Sequence, residues 1–288
     1  MNEYIIFTDS SCDLSAEMIS ERGIYSSSLS FRFNDADVEY TNDGMDIKEF
    51  YEKMRSGLVA KTAAVNSETF AVEFEKILKT GKDILYIGFS TGLSTTYNSA
   101  RIAAQQLKDS YPDRKIITVD TLAASAGVAL LIDLVIEKKN SGASIEEAAK
   151  YAEDIKLKIC HWFTVDDLVY LKRGGRISPT AAFVGNMLGI KPVLHVDNEG
   201  HLVNVSKVRG RRTSILALAE KYGELCDDEG NKKFYISHGD CLEDAELLAK
   251  TIEEKYGAKT GLITNVGPVI GAHSGPGTLA LFFVGKER

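Results

Sequence analysis

Three short apolar runs, each followed by a helical pattern, constrain the fold of this chain more than any other feature. Residues 4–8 (YIIFT), 83–89 (DILYIGF) and 115–119 (KIITV) are continuous rather than alternating, and rich in β-branched and aromatic side chains. A strand that is apolar on both faces must be covered on both, which is the condition of a parallel sheet flanked by helices. Helical patterns follow at 14–22, 95–111 and 122–139, with two more at 47–55 and 68–78. Together they predict βαβ units and a mainly parallel sheet.

The second half follows a different rule. Ser144, with acids just after it, predicts an N-capped helix over 145–159. Residues 193–196 and 202–207 flank Asp197-Asn198-Glu199-Gly200, a hairpin signal. Helices at 211–225 and 243–256 and strands at 233–237, 262–266 and 279–284 complete the pattern. The fold class expected is α/β: a parallel-sheet α/β domain over 1–155 and a second α/β domain with a mixed sheet over 156–288. A length of 288 residues fits two domains.

Charge and cysteine usage narrow the function classes. A net charge of −7 disfavours a duplex nucleic-acid binder, which needs a basic surface to neutralise phosphates. Cys12, Cys160, Cys226 and Cys241 lie far apart, with no paired spacing for zinc or a disulfide framework. The first ten residues carry an acid and only a short apolar run, so no secretory signal is expected. The longest apolar stretch, 123–136, is broken by Ser125, Gly127 and Asp133 and is too short to span a membrane. A cytoplasmic protein is expected, with no stable membrane insertion and no metal.

In an open parallel sheet, ligands sit outside the carboxyl ends of the strands. The loop after the first run, Thr8-Asp9-Ser10-Ser11-Cys12-Asp13, has hydroxyls and acids that suit a polar ligand. They serve equally to fix a turn and, through Asp13 or Ser15, to cap the next helix. After 83–89 comes Ser90-Thr91-Gly92-Leu93-Ser94-Thr95-Thr96-Tyr97-Asn98-Ser99-Ala100, with six Ser/Thr hydroxyls at or around a helix start. A helix N-terminus with added hydroxyl donors can hold a carboxylate or phosphate, although capping by Ser94 or Thr95 needs only one of them. The segment lacks the lysine of a nucleoside-triphosphate loop. In Lys61-Thr62-Ala63-Ala64-Val65-Asn66-Ser67, Asn66 or Ser67 caps a helix and leaves Thr62 to point elsewhere.

Two further segments complete the candidate set. Arg173 and Arg176 bracket Gly174-Gly175 in the most basic loop of an acidic chain, and an arginine fork can clamp a carboxylate or phosphate. Residues 267–278 place His273 among four glycines and two prolines, which predicts a tight preset loop holding the imidazole against a ligand. A hydrolase built on Ser94 and His273 fits poorly. Ser94 lies in GLSTT rather than a nucleophile elbow, and no acid pairs clearly with His273.

The motifs TDSSCDL, KTAAVNS, STGLSTTYNSA, DDLVYLKRGGRI with GIKPVL, and GPVIGAHSGPGTLAL resemble the bacterial DegV family in kind and order, from Thr8 to Leu281. The resemblance implies a protein that buries one long-chain fatty acid, such as palmitate, between its two domains, without turnover of its own. It also implies a role as the acyl-carrying subunit of a fatty acid kinase. A separate kinase protein would phosphorylate the carboxylate, and the acyl phosphate would pass to an acyltransferase of phospholipid synthesis. By motif position, Thr62, Ser94 and Thr95 would hold the carboxylate, with His273 adjacent. Arg173 and Arg176 would face the head group or the kinase. The family form K-T-S-Q-P-S is replaced here by Thr62-Ala63-Ala64-Val65-Asn66 after Lys61, so the neighbouring hydroxyls of that motif are absent.

Elementary energetics agree with such a ligand. About 15 buried methylenes at ~0.8 kcal/mol each give on the order of 12 kcal/mol before ordering costs, so the tail supplies most of the affinity. Neutral hydroxyls then suffice at the head group. Phe31, Phe89, Phe183, Met187, Leu188 and Ile190 are candidates for the tunnel wall or for ordinary core. Two rival readings are a small-molecule phosphotransferase or hydrolase using the Ser94 loop and His273, and a binder of another anionic apolar ligand such as a retinoid or sterol acid.

Overall fold

The computed structural model describes residues 3–177, 189–227 and 232–288. Strands β1 (Tyr4–Asp9), β2 (Tyr25–Ser27), β6 (Asp83–Gly88) and β7 (Ile116–Asp120) form a wholly parallel sheet, in the order β2-β1-β6-β7. Every residue of β1 and β6 is buried, which explains their unbroken apolar runs. Local chemistry starts the surrounding helices. Ser15 caps α1 (Ala16–Glu21) and Asn66 caps α3 (Ser67–Leu78). Ser144 and Glu147 form a full capping box on α6 (Ile145–Ile155).

The C-terminal part carries a separate mixed sheet of β8 (Ile159–Thr164), β9 (Ile190–Val196), β10 (Leu202–Arg209), β11 (Lys233–His238), β12 (Lys259–Asn265) and β13 (Leu279–Val284). Its order is β10-β9-β8-β13-β11-β12, with β11 and β12 parallel and the other pairs antiparallel. Helices α8 (Arg211–Leu225) and α9 (Leu242–Tyr256) pack on one face. At the expected hairpin, Asp197 Oδ1 accepts from the N–H groups of Glu199 and His201. The fold is thus α/β, with a parallel sheet followed by a mixed one, as the sequence predicts.

Helix α5 (Ala126–Asn140) lies between the two sheets. Val128, Leu131 and Ile132 pack with the parallel sheet, while Ala126, Ala129 and Leu130 pack with Phe163 and Phe282 of the mixed one. Residues 126–135 are apolar on every side except at Asp133 and are buried accordingly, and here two sheets supply the cover. Among the described residues, no helix is long and apolar enough to cross a membrane.

Three expectations need correction. The helix beginning at Ile145 ends at Ile155 rather than 159; a single 3-10 turn follows, then β8, which the sequence reading omitted. Strand β8 is buried throughout, so it lacks the alternation that distinguishes a strand from a helix end. A small antiparallel sheet of β3 (Ser30–Phe33), β4 (Tyr40–Thr41) and β5 (Ala60–Ala63) was also unforeseen, its strands being too short for any period. Finally, 267–278 is not all loop. Pro268–Ser274 forms helix α10, opened by proline and closed by Gly275 at φ +84°.

Candidate functional site

A cavity of about 530 Å³ lies where the carboxyl ends of the parallel strands meet the small sheet and one face of the mixed sheet. Its wall is largely apolar: Phe89 and Leu93 come from the loop after β6, Phe163 and Phe282 from the mixed sheet, and Val269 and Ile270 from α10. Thr62, Ser94, Thr95, Arg176 and His273 all line it. Of the tunnel candidates, Phe89 lines the cavity. Phe31 instead packs with Phe33, Phe50 and Tyr51 against helix α2 (Ile47–Arg55), and Ile190 begins β9 away from the wall. Phe183, Met187 and Leu188 lie outside the described residues.

Three separate elements bring the polar residues together. Thr62 is on β5, paired opposite Phe31. His273 is in the last turn of α10, which is anchored where the N–H of Gly267 donates to Asp13 Oδ1 (3.0 Å). Gly271 lies so close to the Tyr51 hydroxyl that a Cβ there would fall 2.5 Å from it, so glycine lets α10 approach α2. The result sets His273 Nε2 2.8 Å from Thr62 Oγ1. Burial, with Arg176 nearby, pushes the imidazole pKa down to about 4, so His273 is neutral at pH 7. Its Nδ1 is buried and has no partner among the described residues.

Ser94 and Thr95 precede helix α4 (Thr96–Leu107). The Ser94 hydroxyl accepts from the N–H of Thr96 (3.2 Å) and lies 2.9 Å from its Oγ1. Thr95 stands at the cap position with no side-chain hydrogen bond to the helix, and its side chain is exposed. Asp9 supports this loop from below. Its carboxylate accepts from Tyr86 Oη (2.6 Å) and from the N–H groups of Ser11 and Phe89. The acids of the first loop therefore build scaffold; neither is on the cavity wall.

The two arginines part company. Arg176 is half-buried at the cavity, where its Nε donates to the Leu93 carbonyl (3.2 Å) and its Nη1 to that of Gly174. Arg173 is exposed on α7 (Val169–Arg173), its guanidinium 5.6 Å from the Tyr170 ring centre, and does not line the cavity.

The wall also carries residues that sequence reading did not single out: Ser125, His161, Ser237 and Ser274. Ser125 adopts φ +56°, and its hydroxyl reaches both Asp13 and Ser237 Oγ (2.8 Å). Burial raises the Asp13 pKa to about 7. Ser125, His161 and Ser237 carried no local motif, whereas Ser274 sits beside His273 in a segment whose sequence did stand out.

The site is poorly arranged for hydrolysis. Ser94 Oγ bonds Thr96 rather than His273, and His273 has no acid partner among the described residues. An imidazole with a pKa near 4 is also a weak general base at neutral pH. Among the described residues, no group of three or more His, Cys, Asp or Glu side chains is placed to hold a metal. The arrangement suits binding: an apolar chamber with a few neutral donors on its wall, two of which, Thr62 and His273, are in contact.

Comparison with known proteins gives a consistent picture. The family model described as "Uncharacterised protein, DegV family" matches residues 4–286. A DegV domain-containing protein of Clostridium perfringens is 43% identical over 100% of this chain and 99% of its own. A DegV lipid binding protein from Thermotoga maritima has a crystal structure 31% identical, covering 99% of each chain with a TM-score of 0.86. A DegV family protein from Thermus thermophilus, whose structure concerns fatty acid binding, is 28% identical, covers 98% of this chain and 99% of its own, and has a TM-score of 0.86.

Proposed function

The chain belongs to the DegV family, and on that premise we propose that it binds one long-chain fatty acid in the cavity and presents its carboxylate to a fatty acid kinase. The observation that carries this reading is the chamber itself: about 530 Å³, apolar for most of its wall, with the polar residues Thr62, Ser94, Thr95 and His273 on that wall and Thr62 in contact with His273. Residues 1–155 and 156–288 act as the two halves that enclose the acyl chain. Tail burial provides the affinity, and the hydroxyls fix the head group.

His273 acts through Thr62. With its proton on Nε2, the imidazole donates to Thr62 Oγ1, which leaves the threonine hydroxyl to donate to the carboxylate. Ser94 and the exposed Thr95 add donors at the start of α4, whose partial positive charge favours an anion. Because these partners are neutral, the carboxylate oxygen stays available as a nucleophile toward ATP; a tight salt bridge would compete with it. Arg176 supplies positive charge nearby, and the exposed Arg173 offers a contact to the kinase. The acyl phosphate then passes to an acyltransferase of phospholipid synthesis.

Reconstitution tests this reading. Delipidated protein is mixed with palmitate, ATP and a bacterial fatty acid kinase protein, and acyl phosphate is trapped with hydroxylamine. Product formation should require both proteins, and Ser94→Ala and Thr62→Ala should each lower it about tenfold. Wild-type rates in both variants would refute the carboxylate site. An ATPase or esterase activity of the protein alone, abolished by His273→Ala, would favour the small-molecule enzyme instead.

A further inference from the structure

The cavity wall carries further polar residues beyond those assigned to the carboxylate. His161, on β8, is 2% exposed, and neither ring nitrogen meets a protein atom in hydrogen-bonding geometry among the described residues. Burial, reinforced by the charge of Arg288, holds its pKa well below the ordinary value; a weak approach of the ring to the Ile159 backbone, outside hydrogen-bonding geometry, pulls the other way. The ring is therefore neutral, with one donor and one acceptor nitrogen. Ser274 Oγ is buried in the same wall and also lacks a partner. Ser125 and Ser237 complete the patch, their hydroxyl oxygens 2.8 Å apart.

His161 is held in place by its neighbours. A Cβ on Gly127 would fall 2.4 Å from Nε2, so only glycine at the first turn of α5 admits the imidazole there. The Phe282 ring stands edge-on to it, 5.5 Å between centres. The 15-residue α5 directs its N-terminus at this same wall through Ser125. Buried polar atoms without partners are unfavourable and are normally met by a ligand or a water. A chain of methylenes alone would leave them unmet.

Resting on the fatty-acid reading above, we propose that His161, Ser274 and the Ser125–Ser237 pair form a second recognition site for an oxygen carried on the acyl chain, so that the preferred ligand is a hydroxy or oxo long-chain fatty acid. A neutral oxygen fits where an ion would not, since the imidazole is uncharged and buried. A hydroxyl can donate to one of these atoms and accept from another, matching the two faces of a neutral imidazole.

The test is competition for delipidated protein between stearic acid and a series of monohydroxystearic acids differing in the position of the hydroxyl. At least one isomer should bind about tenfold tighter than stearic acid. Ser274→Ala and His161→Phe should each shrink that preference toward unity. The wild-type ratio and Ser274→Ala decide the matter if the larger ring at His161 prevents folding. If every hydroxy isomer binds no tighter than stearic acid, the wall holds water only; this proposal falls and fatty-acid binding stands. If neither class of acid binds, both readings fall.

Discussion

Replacing Gly174 by alanine tests whether His273 is held where the carboxylate site needs it. A Cβ at Gly174 would stand 2.1 Å from His273 Nδ1 and 3.0 Å from its Cγ. Ordinary heavy-atom contact is about 3.5–4.0 Å, so the ring must retreat by more than about 1 Å. The backbone at Gly174 has φ −71° and ψ −11°, which any residue adopts, so the methyl stays and the imidazole moves. That movement breaks the 2.8 Å contact with Thr62. Losing one oriented hydrogen bond to a carboxylate is worth about 1.5–3 kcal/mol, or roughly 10–100-fold in Kd. Stability should fall modestly, because pushing the buried ring aside costs about 1–3 kcal/mol against about 0.4–1 kcal/mol that alanine gains through the unfolded state. Gly175→Ala is the contrast. Its φ is +69° with open space around it, so it should cost about 1–2 kcal/mol of stability and leave His273 alone. Displacement of a fluorescent fatty acid gives Kd, and calorimetry gives Tm. The expected pattern is a weakened ligand with a modest fall in Tm for Gly174→Ala, and a lowered Tm with unchanged ligand affinity for Gly175→Ala. Palmitate binding at wild-type strength in Gly174→Ala would refute the role given to His273.

Three further outcomes follow from the buried ionisable groups. His273 is held down to about 4 and Asp13 up to about 7, so they act oppositely on stability. Neutral His273 stabilises fully above its unfolded pKa of about 6.5, and that contribution is lost as pH falls toward 4. Protonated Asp13 stabilises fully below about 4, and its contribution is lost as pH rises through 7. Urea unfolding across pH should show His273→Phe flattening the acid-side loss, by about 3 kcal/mol, and Asp13→Asn flattening the decline between pH 4 and 7 by a similar amount. Arg288 donates to the carbonyls of Leu122, Lys156, Ile159 and Asp197 at 2.6–3.1 Å, joining the end of the parallel sheet to the β9–β10 turn. Arg288→Ala should cost about 3 kcal/mol or more and lower Tm by roughly 6–12 °C in a melting experiment.

The parts of the fold legible in the sequence are those with a local cause. Helices α2 and α8 begin and end where pattern places them, and β1, β6 and β7 announce themselves as apolar runs. Strand β8 and the small sheet were hidden because their pairing is set by partners far away, such as β5 against β3 and β13 against β8. In the site, hydroxyls at a helix start drew attention to Ser94 and Thr95, but the Thr62–His273 contact spans 211 residues and has no local signature. The basic loop was visible as a unit, whereas only packing separates Arg176 at the cavity from Arg173 in solvent. His161 gave no signal because its surroundings depend on Gly127 and Phe282, both remote in sequence.

The central claim is that the cavity holds a fatty acid. It is tested most directly by purifying the protein from a bacterial host, extracting it under denaturing conditions and identifying the released lipid by mass spectrometry. The account predicts a long-chain acid in near one-to-one ratio with protein, and markedly less from Gly174→Ala. Wild-type protein that is properly folded yet releases no acyl chain, and takes none up when palmitate is supplied, would contradict it.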